Sequence, residues 1–131
     1  VASVVVDASV VIDMVTAAAS KALLDRVGLA TELHAPEVID LEVMHGVRRL
    51  IRAGEISETQ ALDAMNVYRE TPITLHGHRQ HLPRIWHLHH NITAYDASYI
   101  ALAEVLGVPL LTLDAKLARA PGHTARVELI D

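Results

Sequence analysis

The sequence predicts a single α/β/α sandwich, a short central parallel sheet flanked by helices, spanning residues 1–131. Three observations support this. Apolar runs of strand length alternate with longer stretches of helical spacing, the order that lays down a parallel sheet covered on both faces. With 131 residues, 51% of them apolar, the chain can bury one core of its own and is too apolar to be disordered. No internal repeat, low-complexity tract or linker divides it.

In order along the chain, Val4-Val5-Val6 is a buried strand, β-branched throughout. After Asp7-Ala8-Ser9, the run Val10 to Val15 is apolar except for Asp13. Thr16 to Val27, rich in Ala and Leu, is expected to be a helix that Gly28 stops. A short strand over Glu32 to Ala35 ends at Pro36. From Glu37 to Arg52 the spacing is helical. Leu41, Met44, Val47 and Ile51 mark the expected core stripe, and Val38, Glu42, His45 and Arg49 share the stripe beside it. Gly54 stops this helix. Ser57, with Gln60 three residues on, forms a capping-box pattern that opens the next helix, to about Arg69. Ile73 to Leu75 forms a strand after Pro72, and helical character returns from about Gln80 to His90. Thr93 caps a helix from Ala94 to Leu106 that Gly107 closes. Pro109 to Leu113 is a strand, Ala115 to Ala120 a turn or two of helix, and Val127 to Ile130 a last strand.

Composition narrows the function. The absence of cysteine excludes a disulfide framework and a thiolate metal site. No stretch approaches the roughly 20 apolar residues of a membrane span, and Val1 to Val6 is too short and uncharged for a signal peptide, so a cytoplasmic protein is expected. A formal net charge of −5 argues against a generally basic nucleic-acid coat protein, although a basic rim can still surround an acidic pocket. Protonating all nine histidines would carry the net charge from −5 to +4, so charge depends strongly on pH below about 6.5.

Four acids hold comparable positions. Asp7 ends the first strand, Glu42 lies in the helix after Pro36, Asp96 opens the helix after Thr93, and Asp114 ends the strand before Ala115. In an open parallel sheet the carboxyl ends of the strands line one crevice, where ligands bind. Acids gathered there repel one another unless a cation neutralises them, and their hard oxygens suit Mg²⁺ or Mn²⁺. Each also has a purely local explanation. Asp7 and Asp114 can cap the helices that follow them. Thr93-Ala94-Tyr95-Asp96 matches a capping box. Glu42 can be a solvated glutamate.

The wording of the motifs says more than their spacing. Val-Val-Val-Asp7-Ala-Ser9, then Pro36-Glu37-Val-Ile-Asp-Leu-Glu42, then Asn91-Ile-Thr-Ala-Tyr-Asp96-Ala-Ser-Tyr99, then Leu111-Thr112-Leu-Asp114 occur in that order. This resembles the PIN-domain ribonucleases, and among them the VapC-type toxins of toxin–antitoxin pairs, over essentially the whole chain. The resemblance implies a PIN-like sandwich and an endoribonuclease whose acidic quartet, Asp7, Glu42, Asp96 and Asp114, holds Mg²⁺ or Mn²⁺. It implies that activated water hydrolyses a phosphodiester to 5′-phosphate and 3′-hydroxyl ends. Ser9 and Thr112 match hydroxyl positions that orient carboxylates or water. Some PIN domains carry a further acid just after the fourth. Here Ala115, Lys116 and Leu117 follow, which leaves fewer ligands for a second ion. The resemblance also implies a cognate antitoxin and a homodimer partner, and it leaves transfer, ribosomal and messenger RNA all as substrates.

Arg49, Arg84 and Lys116 are the candidate RNA contacts, with Arg48, Arg52 and Arg119 nearby in sequence. Aromatic residues are scarce, so recognition of a folded RNA's shape and exposed loop is expected rather than stacking on a broad aromatic platform. Six histidines fall between His76 and His90. His76-x-His78-x-x-His81 has zinc-like spacing but no acid or cysteine at a fixed offset. Two rival readings are weaker. A phosphoryl-accepting receiver domain would need a second acid beside Asp7. A catalytically silent PIN-like module that binds RNA or protein would not need all four acids.

Overall fold

The computed structural model describes residues 2–131. Among these are five strands, β1 (Ser3–Val6), β2 (Glu32–Pro36), β3 (Thr74–His76), β4 (Leu110–Thr112) and β5 (Val127–Leu129). Seven α-helices connect and flank them: α1 (Ala8–Val15), α2 (Lys21–Gly28), α3 (Ile39–Arg52), α4 (Glu58–Glu70), α5 (Leu82–His87), α6 (Ala94–Leu106) and α7 (Ala115–Ala118). A 3₁₀ turn at Arg79–His81 leads into α5. Every strand pair is parallel and the order across the sheet is β3-β2-β1-β4-β5. The predicted sandwich is therefore the observed one.

This order sets the place of the site. From β1 the chain first builds outward through β2 and β3, then returns to the other side of β1 for β4 and β5. The connections leaving β1 and β4 diverge at their carboxyl ends and open a crevice there. Val4, Val5 and Val6 of β1 and Leu110 and Leu111 of β4 are buried, as strands covered on both faces should be. Each such side chain contributes about 1.5–3 kcal/mol by leaving water. Helix α6 packs against β1, β2 and β4 and is buried without a break from Ala97 to Ala103. Its alanines add little bulk, so the helix can lie close to the sheet. Thr93 caps it and Gly107, at φ +67°, ends it in the left-handed conformation that glycine accepts without strain. Across the molecule α1 meets α3 at Gly46, where a Cβ would lie 2.2 Å from Ile12 Cδ1. A larger residue there would force the Ile12 side chain to move.

Three expectations need correction. The alanine-rich segment from Thr16 is not helical from its start. Helix α1 ends at Val15, the Thr16 hydroxyl donates back to the Ile12 carbonyl at 2.6 Å, and Ala17 takes φ +60°. Helix α2 begins only at Lys21, because the Ser20 hydroxyl accepts from the Leu23 N–H at 3.1 Å. A side-chain cap thus outweighs the helix propensity of Ala17, Ala18 and Ala19. In α3 the core stripe is Ile39, Val43 and Val47, whereas Leu41 and Met44 are 68% and 56% exposed. The helix carries two apolar stripes that share Val47, and the one through Ile39 and Val43 faces the core as α3 packs on α1 and α4. The helix expected from Gln80 to His90 is also shorter, since α5 closes at His87.

Candidate active site

Asp7 is the first residue after β1 and the N-cap of α1. Its Oδ1 accepts from the Val10 N–H at 3.1 Å and from the Ser9 hydroxyl at 2.6 Å, and its Oδ2 accepts from the Thr112 hydroxyl. Each hydroxyl also accepts one bond from the β4 end: Leu113 N–H to Ser9 Oγ at 3.1 Å, and Asp114 N–H to Thr112 Oγ1 at 3.0 Å. Ser9 and Thr112 thus rivet the ends of β1 and β4 together through the Asp7 carboxylate, each using its single donor and one lone pair. Asp7 thus caps α1 and lines the acidic pocket at once.

Glu42 lies in the first turn of α3, and its Oε1 accepts from the Tyr99 hydroxyl of α6 at 2.6 Å. Burial, then the bond to Glu42, raises the Tyr99 pKa and keeps the phenol protonated as a donor. Asp96 sits in the first turn of α6. Its N–H donates to Thr93 Oγ1 at 3.2 Å, but among the described residues nothing donates to its carboxylate. The predicted capping box is therefore only half formed. Asp114 follows β4 and caps α7, its Oδ1 accepting from the Lys116 N–H at 2.9 Å.

All four acids line one pocket of about 680 Å³, together with Val38, His45 and Arg49 from the same face of α3 as Glu42. An adjoining cavity of about 440 Å³ shares Asp96 and Asp114 and is lined by Lys116 as well. Electrostatics match this crowding. Burial pushes the Asp7 carboxyl up despite its three hydrogen bonds, with Asp114 adding a smaller push. Burial, with a smaller push from Asp7, likewise raises Glu42 against the Tyr99 bond. Asp96 is pushed up to about 6, first by burial and then by the charges of Asp114, Glu42 and Asp7. Among the described residues no group of three or more His, Cys, Asp or Glu side chains is drawn tightly enough to form a ready metal cage. The carboxylates share a pocket yet hold apart, as like charges do.

Of the other residues singled out in the sequence, Ser9 and Arg49 line the acidic pocket, Thr112 lies behind Asp7, and Lys116 flanks Asp96 and Asp114. Arg84 is not among the pocket's lining residues. Its guanidinium makes two bonds of 2.8 Å to the Glu104 carboxylate. The zinc-like spacing of His76, His78 and His81 closes no group of three. His76 Nε2 instead lies 2.9 Å from Nδ1 of His34 on the neighbouring strand, a pairing of one ring nitrogen with another. The tie from Tyr99 to Glu42 is not visible in residue spacing. The Tyr-Asp-Ala-x-Tyr block held its signal, since Tyr99 lies one helical turn beyond Asp96 and so on a similar face.

Comparison with known proteins agrees with this architecture. The PIN domain family matches residues 4–123. Ribonuclease VapC1 of Mycobacterium tuberculosis is 42% identical over 132 residues, covering 96% of each chain. A crystal structure of VapBC2 from Rickettsia felis, bound to a DNA fragment from their promoter, has a TM-score of 0.72 at 11% identity, over 98% of this chain and 99% of that one. A toxin–antitoxin complex from Klebsiella pneumoniae has a TM-score of 0.60 at 16% identity, over 88% and 90% respectively. These two structures speak for the fold, and the mycobacterial relative for descent. With motif order, sheet topology and whole-length similarity in agreement, the chain belongs to the PIN domain family, in its VapC branch.

Proposed function

We propose that this chain is a divalent-metal-dependent endoribonuclease and the toxin of a type II toxin–antitoxin pair. Asp7, Glu42, Asp96 and Asp114 are its metal-binding and catalytic carboxylates, and Mg²⁺ or Mn²⁺ is its ion. The observation that carries this reading is Asp96, a half-buried carboxylate with no donor among the described residues, pushed up to about 6 beside three other acids. The donor set fits a hard cation, being all oxygen and strongly negative, and the loose spacing suits an ion that keeps much of its own water. Such an ion supplies neutralising charge, a more acidic bound water and stabilisation of a phosphoryl oxygen.

The chain's own residues set the geometry. Asp7 is held rigidly by Ser9, Val10 and Thr112, so its remaining lone pairs have a fixed direction. Tyr99 occupies one oxygen of Glu42 and leaves the other to accept a hydrogen bond from the attacking water. Arg49 on the pocket wall and Lys116 at its flank bring positive charge to an RNA backbone that the acids would repel. Similarity to the VapC1 ribonuclease supports the substrate class.

The partners follow from the same relatives. An antitoxin partner is proposed in line with the Klebsiella pneumoniae toxin–antitoxin complex; that it covers the site, and that the chain pairs with a second copy, are proposed from the family resemblance alone. Exposed Leu41, at the acidic pocket, and Met44 on α3 offer apolar area for one of them. Residues 1–131 would act as one PIN domain. Among the described residues no helix is long and apolar enough to cross a membrane, and the cytoplasm, where cellular RNA lies, is the proposed location.

The test is cleavage of total cellular RNA by the purified chain, with Mn²⁺ and with EDTA, beside a Asp7→Asn variant whose fold is checked by circular dichroism. Metal-dependent cleavage that vanishes in the variant supports the reading. Undiminished cleavage by Asp7→Asn refutes the site, and no cleavage by the native chain under any divalent ion favours a silent binding module.

A further inference from the structure

Trp86, the chain's single tryptophan, is 71% exposed on α5. A ring of that size facing water offers apolar area to a partner. It does not stand alone. The Trp86 ring is stacked on His89, with centroids 4.1 Å apart and planes 18° from parallel, and His89 meets His90 at 3.9 Å and 37°. His89 and His90 are exposed as well, and both line the 440 Å³ cavity that Asp96, Asp114 and Lys116 share. Three heteroaromatic rings therefore form a ledge that reaches the rim of the acidic site.

We propose that this ledge is a nucleobase subsite, on which an unpaired base of single-stranded RNA stacks while Lys116 meets a neighbouring backbone phosphate. The inference rests on the ribonuclease reading above and deepens it by naming where the substrate is held. Flat ring faces with polar edges suit a base, whose own π-face is open only when it is unpaired. The cavity next to the rings is lined by Asn91, Thr93 and Lys116 beside Ile92, Leu117 and the two carboxylates, so Lys116 is the cation within it that can meet a phosphate. Continuity with Asp96 and Asp114 places the bound base close to the bond to be cut. Counting Trp and Tyr alone hides the ledge, because two of its three rings are imidazoles.

Trp86 is the only indole, so its fluorescence reports on this ledge alone. The native chain, kept in EDTA so that the strand stays intact, is titrated with a short unstructured oligoribonucleotide. The controls are the same strand in a duplex and the same strand with abasic residues. Saturable quenching by the single strand, but by neither control, is expected. Trp86→Leu and His89→Ala, both surface changes, should bind the labelled strand about 5- to 100-fold more weakly by anisotropy. They should bind the abasic strand as the native chain does. Unchanged fluorescence, or equal binding of base-bearing and abasic strands, overturns the ledge. The two readings fail separately. If the native chain cuts RNA and Trp86→Leu cuts the short strand with an unchanged KM, the ledge falls and the nuclease stands. If quenching is seen with a chain that cuts nothing, the ledge stands and the nuclease falls.

Discussion

Two carboxylates on the same helix have opposite fates. Glu104, near the end of α6, is clasped by Arg84 through two 2.8 Å bonds and accepts two more from the backbone and hydroxyl of Thr124. Its pKa is held down to about 2, chiefly by the Arg84 guanidinium. Asp96, at the start of the helix, has no donor among the described residues and is pushed up to about 6 by burial and three neighbouring acids. At one end of α6 a guanidinium bonds the carboxylate directly, whereas at the other Lys116 lies near enough only to offset part of the rise and makes no hydrogen bond to Asp96. Glu104 has its counterion within the chain, whereas under the proposed function Asp96 is left for a bound ion to neutralise.

The largest effect should separate these acids by activity. Asp96→Asn should lower the initial rate of RNA cleavage by about 100-fold or more, the scale of losing one preorganised charge at the reacting centre. Glu104→Gln should leave that rate unchanged per folded molecule but lower stability by about 1–3 kcal/mol in urea unfolding, because bonds to a charged acceptor are lost. A Glu104 variant as inactive as the Asp96 variant would erase the distinction.

Next in size is the response to the missing cation. Mn²⁺ at about 100 times its Kd should stabilise the native chain by about 2.7 kcal/mol, seen as a rise in Tm. The double variant Asp7→Asn, Asp114→Asn should gain nothing, and Glu104→Gln should gain as much as the native chain.

A smaller effect concerns pH in metal-free protein. Asp96 has a folded pKa raised from 3.8 to about 6, so between those values the folded state binds more protons than the unfolded one, and stability falls as pH rises. Asp96→Asn should therefore be the more stable protein at pH 7.5, by about 1 kcal/mol once solvent screening at this half-buried group is discounted. The gap should shrink as pH falls through 6 and vanish near 4. Glu104 has the opposite sign. Its pKa is lowered from 4.5 to about 2, so its contribution is present above 4.5 and is lost as pH falls through about 2. Chemical denaturation of the paired proteins across this range measures both slopes.

Smallest of all is Tyr99→Phe, which removes one hydrogen bond from Glu42. Worth about 1 kcal/mol, the change should slow cleavage about fivefold. Because the Tyr99 bond lowers the Glu42 pKa, losing it should also move the acid limb of the pH–rate profile upward.

Much of this was legible in the chain because the signals are local. The Ser57 and Thr93 caps and the Gly107 stop depend on a few neighbouring residues, and the structure keeps them, whereas strand ends shift by a residue, β3 running Thr74–His76 and β4 Leu110–Thr112. The four acids were legible as a set only through the wording of their motifs, since each alone resembles a cap or a solvated side chain. What stayed hidden depends on residues far apart. The Tyr99 bond to Glu42 spans 57 positions and the His34–His76 contact 42. Neither pairing leaves a periodic mark. Which of the two α3 stripes faces the core is likewise decided by how that helix sits on α1, through Gly46, rather than by spacing. The half-formed capping box at Asp96 teaches the same lesson. Its pattern predicts a satisfied acid, and only the pocket shows that the acid is unsatisfied.

The central claim is that the acidic end of α6 and its neighbours hold a cation that the chain does not provide. Titration of Mn²⁺ followed by electron paramagnetic resonance tests it most directly, comparing the native chain with Asp7→Asn, Asp114→Asn and with Glu104→Gln. The account predicts saturable binding in the native and Glu104→Gln proteins and its loss in the double variant. Equal binding in all three, or none in the native chain, would contradict it.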